Sequence, residues 1–318
     1  MEYVHGAAGI FSPEQMEREK LAAEQRRNEA WESLKARAED IRIIDFHTHI
    51  FPDRIAKGAL HALAEESQTI PFTAATAESL RESMREAGVD LSIVLPVVTH
   101  ADKTGKINLS AAKTNETDTG ILSFAGIHPG VEDPKKELKF AKALGLKGVK
   151  LHPDYYRMSF DSPETMRIID LAAEMDMIIL THAGKDIGLY PPTCCPVDAI
   201  KRVIREIHPP KLVLAHMGGW NDWDEVLEKL AGEDVYFDTA FSIGDIHWMD
   251  QPKHGFHQLS DEAFVKLVYA VGTDRVLFAT DCPWAEQIDY VNRIKAMPFT
   301  PEEKQAIFAG NAKRLLGL

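Results

Sequence analysis

From residue 41 onward, short apolar segments alternate with amphipathic stretches, and this alternation constrains the fold more than any other feature of the chain. The apolar segments stay apolar at successive positions, which is typical of parallel strands that are buried on both faces. Eight such segments occur: IRIIDF, LSIVLPV, LSFAGIHP, GVKLHP, MIILTHAG, KLVLAHMGG, VYFDTAF and VLFATDCP. Between them we predict helices, among others at 134–144, 163–175, 196–207 and 261–271.

Eight strands that are each followed by a helix are the number required for a (β/α)₈ barrel, a TIM barrel of the α/β class. We therefore expect residues 41–318 to form one barrel. A doubly wound open sheet is the alternative, but no G-x-G-x-x-G turn follows the first strand, so a dinucleotide-binding version of it is not favoured. Residues 242–260 follow the seventh strand, and long loops at that end of a barrel typically carry substrate contacts or a lid.

Residues 1–40 precede the predicted barrel as an N-terminal helical extension. Residues 13–39 are rich in good helix formers, and Ser12-Pro13-Glu14-Gln15 has the pattern of a capping box. Two interpretations are open. The helix is either a solvated element that leans on its own barrel or an arm that packs on a second subunit. The second interpretation makes Trp31 an anchor and predicts a homo-oligomer, with a dimer favoured.

Composition narrows the function further. The 318 residues carry a formal net charge of −13, which disfavours nucleic acid and anionic membranes as partners. The sequence shows neither an apolar run of membrane-spanning length nor the basic and then apolar pattern of a signal peptide. Three cysteines are too few for a disulfide framework and fit a reducing compartment. We therefore expect a cytoplasmic protein that acts on a small molecule.

Polar side chains stand where several of the predicted strands end. His47 and His49 are two residues apart, so they point to the same face of the first strand. The fifth, sixth and eighth strands end in His182, His216 and Asp281. Barrel enzymes hold their catalytic groups at these strand ends, and imidazole and carboxylate are the usual ligands of zinc and iron in proteins. The sequence therefore predicts a metal site at this end of the barrel.

The motifs DFHTHIFP, GVKLHP, LTHAG, LAHMGG, FATDCPW and GNAKRLLGL resemble those of the amidohydrolase superfamily. The chain is most similar to its amidohydrolase-related branch, which includes aminocarboxymuconate-semialdehyde decarboxylase. The resemblance implies one divalent ion, with Zn²⁺ expected, held by His47, His49, His182 and Asp281. It also implies that His216 is a catalytic residue beside the metal-bound water rather than a ligand.

This ligand set predicts the chemistry. A divalent ion lowers the pKa of a water molecule that it binds from about 16 toward about 7. Asp281 can accept the proton, and His216 can act as an acid or base or stabilise an oxyanion. We expect a metal-dependent hydrolase of an amide, lactone or ester bond in a small, carboxylate-bearing substrate. A non-oxidative decarboxylase would use the same ligands and is the first alternative. A non-catalytic barrel that acts as a binding module is the second.

Four further residues are candidate substrate contacts: Lys150, His152, Arg157 and Trp284. Lys150 and His152 share a face of the fourth strand. Superfamily members with two ions often bridge them with a carboxylated lysine on this strand, so Lys150 could hold a second ion, form an internal ion pair or contact a substrate anion. Arg157 could bind a carboxylate, and Trp284 could form a wall of the pocket.

Overall fold

The computed structural model describes residues 13–318 of the chain. Ser12, the predicted N-cap of the first helix, lies outside the described residues. None of the described helices is long and apolar enough to cross a lipid bilayer.

Nine parallel strand segments form the centre of this part of the chain. They are β1 Ile44–Thr48, β2 Leu91–Val94, β3 Ile121–Ser123, β4 Ala125–Gly126, β5 Gly148–Leu151, β6 Ile178–Thr181, β7 Leu212–Leu214, β8 Tyr236–Asp238 and β9 Val276–Leu277. Only Phe124 separates β3 from β4, and its amide donates to the carbonyl of Val94 at 2.9 Å. β3 and β4 are therefore two halves of one strand, and the nine segments make eight strands.

The strands close on themselves. β1, β2 and β3 pair in order, and β4 to β9 pair in order. The first and last strands are also joined, because the amide of Phe46 donates to the carbonyl of Phe278 and the amide of Asp281 donates to that of His47, both at 2.9 Å. The predicted (β/α)₈ barrel is thus confirmed, and the open sheet is not formed.

Helices follow the strands and cover the outside of the barrel. They are α1 Pro13–Ala36, α2 Asp53–Ser67, α3 Ala77–Ala87, α4 Thr104–Thr114, α5 Pro134–Ala143, α6 Pro153–Tyr156, α7 Pro163–Glu174, α8 Val197–Ile207, α9 Trp223–Lys229, α10 Asp261–Val271, α11 Gln287–Ala296, α12 Pro301–Gln305 and α13 Asn311–Leu316. A π-helical turn, Ala306–Gly310, joins the last two. The four helices predicted between strands agree with α5, α7, α8 and α10 to within one residue at each end.

Two apolar clusters fill the molecule. One lies between the strands and the outer helices. The other fills the barrel interior with alternate strand residues such as Phe46, Phe124 and Leu180. Because hydrophobic side chains occupy the lower part of the interior, the polar side chains that face the inside of the barrel lie toward its carboxyl end.

Helix α1 folds back on its own barrel. Leu34 is only 4% exposed and belongs to the interior cluster, while the ammonium of Lys147 lies 4.1 Å above the ring of Trp31. Arg37 pairs with Asp118 at 2.7 Å. This placement agrees with the helix that leans on its own body. Because Trp31 packs against Lys147 of its own chain, it is not available as the proposed anchor to a second subunit. The homo-oligomer stays a prediction.

Candidate metal centre

The carboxyl ends of the strands surround a cavity of about 380 Å³. Its lining includes most of the residues selected from the sequence, namely His47, His49, Lys150, His152, His182, His216, Asp281 and Trp284. Arg157 does not line it. Arg157 ends the short helix α6 with φ 52°, and its exposed guanidinium donates to the carbonyl of Leu189 at 3.2 Å. The structure therefore brings together all of the selected residues except Arg157.

Three side chains converge at one point of the cavity. His47 Nε2 lies 3.1 Å from His49 Nε2. Asp281 Oδ1 lies 3.1 Å from His49 Nε2 and 3.5 Å from His47 Nε2. The ammonium of Lys150 is 3.0 Å from His47 Nε2. The ligand atoms of the two histidines and Asp281 all lie within 4.8 Å of one another, which is close enough for one ion to contact all three.

Hydrogen bonds behind the two rings determine which nitrogen carries the proton. His49 Nδ1 lies 2.8 Å from the carbonyl of Leu95, and a carbonyl can only accept, so Nδ1 is protonated. His47 Nδ1 donates to the carboxylate of Asp238 at 2.8 Å. Burial, and next the charge of Lys150, holds the pKa of His47 well below its ordinary value. His47 is therefore neutral, and its Nε2 lone pair faces His49 and Asp281.

His182 and His216 form a second group of the same kind. His216 Nδ1 donates to the carbonyl of Ala240 at 2.8 Å, and His182 Nε2 donates to that of Lys185 at 3.2 Å. The remaining nitrogens, His216 Nε2 and His182 Nδ1, face each other at 3.0 Å. Burial lowers the pKa of His216 to about 4 and that of His182 well below its ordinary value. Both rings are neutral, so two lone pairs converge here.

These converging acceptor atoms indicate whether the site suits a cation. Two imidazole lone pairs that face each other repel unless a proton or a metal ion lies between them, and buried acceptors without partners are costly. Lys150 supplies one ammonium to this region. The donor set of imidazole nitrogens and one carboxylate oxygen fits a divalent ion such as zinc. The predicted four-ligand set is divided, however, because His182 lies with His216 rather than with the group of three.

His152 and Asp186 extend the site away from these groups. His152 Nε2 lies 3.4 Å from Asp186 Oδ2, and the ring of His152 stacks on that of His182 at 4.3 Å and 12°. The ligand atoms of these three residues also lie close together. Parallel stacked rings direct their lone pairs side by side, however, and His182 Nε2 already donates to a carbonyl. We therefore interpret these residues as a stacked wall of the cavity rather than as a second ligand set.

Asp238 was missed by the sequence analysis. It ends β8 and is fully buried. Oδ2 accepts from His47, and Oδ1 accepts from the amides of His216 and Ala240 at 2.9 and 3.1 Å. Burial raises the pKa of Asp238 to about 7, and the positive charge of Lys150 opposes this effect. The sequence contains a pattern that could have identified it. Asp238 follows the apolar run VYF, just as Asp281 follows the run VLFAT.

Lys150 is fully buried below the converging groups. Burial lowers its pKa to about 8, and the carboxylates of Asp238 and Asp281 oppose this effect. Lys185 also lines the cavity, but its ammonium is paired with Asp222 at 2.7 Å. Among the described lining residues, Lys150 therefore differs from Lys185 in two ways. Its ammonium contacts a candidate ligand, His47, and it forms no hydrogen bond with a carboxylate.

The rest of the cavity wall is largely apolar, and its members include Ile50, Phe51, Leu63, Leu95, Val97, Ile187, Trp220, Phe241 and Trp284. The loop 242–260 contacts residues that line the cavity. Lys253 donates to the carbonyls of Glu66 and Ile187, which both belong to this lining, at 2.7 and 2.9 Å. Phe256 stacks on Trp220 at 5.1 Å. This long loop therefore packs against the cavity lining, and its role as a lid or substrate contact stays a prediction.

Comparison with protein families gives a match along most of the chain. Residues 44–318 match the family model described as Amidohydrolase. Among curated proteins, no relative matches the sequence.

Solved structures give further similarity. An uncharacterised TIM-barrel protein from Bordetella bronchiseptica is 16% identical, with a TM-score of 0.66 over 86% of this chain and 98% of that one. A candidate 2-pyrone-4,6-dicarboxylic acid hydrolase from Pseudomonas putida is 16% identical, with a TM-score of 0.57 over 87% and 98%. A dihydroxybenzoic acid decarboxylase from a Polaromonas species, solved with manganese and the inhibitor 2-nitroresorcinol, is 12% identical, with a TM-score of 0.59 over 87% and 97%. At these identities the similarity concerns the fold.

Proposed function

The chain belongs to the amidohydrolase family, and from this premise we propose that it is a metal-dependent hydrolase of an amide, lactone or ester bond in a small substrate. The observation that supports the proposal is the arrangement of Asp281. Its Oδ1 lies against His47 and His49, while Oδ2 forms no hydrogen bond or ion pair with residues 13–318. One carboxylate can therefore contact an ion with one oxygen and accept a proton from water with the other.

The ion would be held by His47, His49 and Asp281. His182, which lies against His216, is kept as a fourth ligand on the resemblance to the family alone. When bound, such an ion lowers the pKa of a water molecule that it binds and polarises a substrate oxygen. We propose one ion per chain and zinc as the first candidate, because imidazole and carboxylate together are typical of catalytic zinc sites. Manganese is the second candidate, since the Polaromonas decarboxylase contains it.

His216 is placed to accept a hydrogen bond from a water molecule. Its ring is neutral because burial lowers its pKa to about 4, and the Ala240 carbonyl fixes the proton on Nδ1. Nε2 therefore offers a lone pair beside His182. A group in this state can orient a water molecule for hydrolysis, while the lowered pKa leaves proton acceptance to Asp281.

The cavity suggests the kind of substrate. A space of about 380 Å³ with a largely apolar wall suits a small molecule with a ring or a short hydrocarbon chain. Lys150 is placed to attract a carboxylate near the ion, and Trp284 and His152 would pack against the substrate body. We do not retain Arg157 as a carboxylate contact, because its side chain lies outside the cavity lining.

A decarboxylase is the second candidate, and the same apolar wall favours it. An aromatic carboxylic acid could place its ring on this wall and its carboxylate toward Lys150. The neutral state of His216 is less favourable for this reaction, because protonation of the carbon that loses CO₂ requires an acid. We therefore place hydrolysis first.

The experiment uses metal-stripped protein that is reloaded with Zn²⁺ or Mn²⁺. Lactones and esters are assayed for acid release in a pH-stat, N-acyl compounds are assayed for release of the amine, and aromatic carboxylic acids are assayed for CO₂ release. We expect metal-dependent hydrolysis that Asp281→Ala abolishes and Asp154→Asn, a buried carboxylate outside the cavity lining, preserves. Release of CO₂ without hydrolysis would favour the decarboxylase. Absence of both metal and turnover would favour a binding module.

A further inference from the structure

Asp45 is a fully buried carboxylate that the proposed mechanism does not use. It does not line the cavity, although it precedes His47 by two residues. Four groups donate to it. Oδ1 accepts from the amides of His47 and Thr280 at 3.2 and 3.1 Å. Oδ2 accepts from the hydroxyl of Thr280 at 2.5 Å and from Nε2 of Gln287 at 2.7 Å.

In each of these hydrogen bonds, Asp45 must be the acceptor. Backbone amides can only donate. The hydroxyl oxygen of Thr280 accepts from the amide of Cys282 at 3.1 Å, so its own proton is directed to Asp45. The amide nitrogen of Gln287 also contacts the hydroxyl of Ser92 at 3.3 Å. The position therefore requires a side chain that accepts at both oxygens, which among residues of this size only an ionised aspartate does.

These bonds connect the two strands that carry the converging ligands. His47 belongs to β1, and Thr280 directly precedes Asp281 at the end of the eighth strand. The backbone of Asp281 has φ 69°, a left-handed conformation that is unfavourable for residues with a Cβ and that persists where surrounding contacts hold it. The pairing of β1 with β2 also changes register between Asp45 and Thr48. Both ligands therefore stand on irregular backbone next to Asp45.

We propose that Asp45 is a positioning residue that clamps the backbone of His47 to that of Asp281 and so sets the distance between two ligand atoms of the ion. The ligand part of this inference rests on the proposed function. The clamp itself is a property of the metal-free chain, because each of its bonds is made between protein groups alone.

The test compares Asp45→Asn with the reciprocal double variant Asp45→Asn/Gln287→Glu. The single substitution places an amide NH₂ against the NH₂ of Gln287 and the hydroxyl of Thr280. The double variant restores a donor and an acceptor across the contact with position 287. Hydrogen exchange of metal-free protein, followed by mass spectrometry, reports the clamp directly. Zn²⁺ affinity, from competition with a chromogenic chelator, reports its effect on the ligands.

We expect Asp45→Asn to accelerate exchange in peptides that cover 44–49 and 278–284, and to raise the Zn²⁺ dissociation constant about 10- to 100-fold, as loss of groups that orient ligands does. The double variant should recover most of both effects. Asp90→Asn is the matched control. Asp90 accepts from the amides of Arg42 and Ile43 before the other end of β1, and its substitution should change neither reading.

Unchanged exchange at 44–49 and 278–284 in Asp45→Asn would overturn the clamp, whatever the protein binds. Faster exchange with unchanged Zn²⁺ affinity would reduce Asp45 to a structural role and also overturn the proposal. If the unsubstituted protein binds no Zn²⁺ while Asp45→Asn still loosens both segments, the metal part of the proposed function fails and the clamp stands.

Discussion

Asp238 determines which nitrogen of His47 carries the proton and which can bind an ion. Asp238→Asn should move the proton from Nδ1 to Nε2. The carboxylate accepts the proton of His47 Nδ1 at 2.8 Å and leaves the Nε2 lone pair facing His49 and Asp281. The substituted amide can keep its oxygen toward the amides of His216 and Ala240. Its NH₂ group then faces His47 Nδ1, which must become an acceptor. The imidazole proton moves to Nε2 and blocks the lone pair.

The expected loss of metal affinity follows from the role of Asp238 in orienting a histidine ligand. Removing a carboxylate that orients a histidine ligand weakens metal binding about 10- to 100-fold, which corresponds to about 1.4–2.8 kcal/mol. The metal-free protein should respond differently. Burial raises the pKa of Asp238 from 3.8 to about 7. Below about pH 7 the native Asp238 therefore retains a proton that the unfolded chain has lost, so His47 Nδ1 faces an ionised carboxylate only above that pH. This group's contribution to stability falls as the pH rises from about 4 to 7. Asp238→Asn has no carboxylate at this position, so its stability should not show this decrease.

The assay measures Zn²⁺ dissociation constants by chelator competition and the free energy of unfolding of metal-free protein in urea at pH 5 and pH 7. Asp238→Asn should bind Zn²⁺ more weakly, while its stability relative to the unsubstituted protein improves between pH 5 and pH 7. Asp154→Asn is the control for replacement of another buried carboxylate, since Asp154 accepts from the amide of Cys194 rather than from a histidine. Unchanged Zn²⁺ affinity in Asp238→Asn, or ¹⁵N shifts that still place the His47 proton on Nδ1, would refute the reasoning.

His47→Ala should lose metal and turnover together, whereas His216→Ala should keep most of the metal and lose turnover; equal metal loss in elemental analysis would contradict the separate role of His216. Close to two ions per chain in the same analysis would assign Lys150 to a second ion. Burial lowers the Lys150 pKa from 10.5 to about 8, so unfolding of metal-free protein in urea should require roughly 3 kcal/mol more at pH 10.5 than at pH 8, and Lys150→Met should lack this rise. Leu34→Ala should destabilise the chain by about 2–5 kcal/mol. Deleting residues 1–38 should leave the number of subunits unchanged by light scattering, and a smaller number would favour the intersubunit arm.

The strand-end residues could be predicted because each depends on local sequence. An apolar run followed by a histidine or an aspartate marks the carboxyl end of a strand, and a barrel brings those ends together. His47, His49, His182, His216 and Asp281 were selected in this way, and the structure places all of them in one cavity.

The grouping of these residues could not be predicted. Whether His182 lies nearer to Asp281 or to His216 depends on how strands far apart in sequence are staggered, and no local pattern encodes that stagger. Arg157 shows a different limit. It follows the fourth strand as a substrate contact would, but the left-handed backbone at the end of α6 directs its guanidinium to Leu189. The turn, rather than the strand, decides where this side chain lies.

The groups behind the proposed ligands affect the stability of the metal-free chain as well as the binding of an ion. Asp238 and the carbonyls of Leu95 and Ala240 accept from the outer nitrogens of three histidines, so the inner nitrogens point into a buried space. In the metal-free chain the Lys150 ammonium donates to His47 Nε2, whereas the unprotonated nitrogens of His216 and His182 face and repel each other at 3.0 Å. The groups that prepare the ligands therefore make the metal-free state less stable. Because an ion that binds the native state more tightly than the unfolded chain adds RT ln(1 + [L]/Kd) to stability, metal binding and folding are expected to be coupled in this protein.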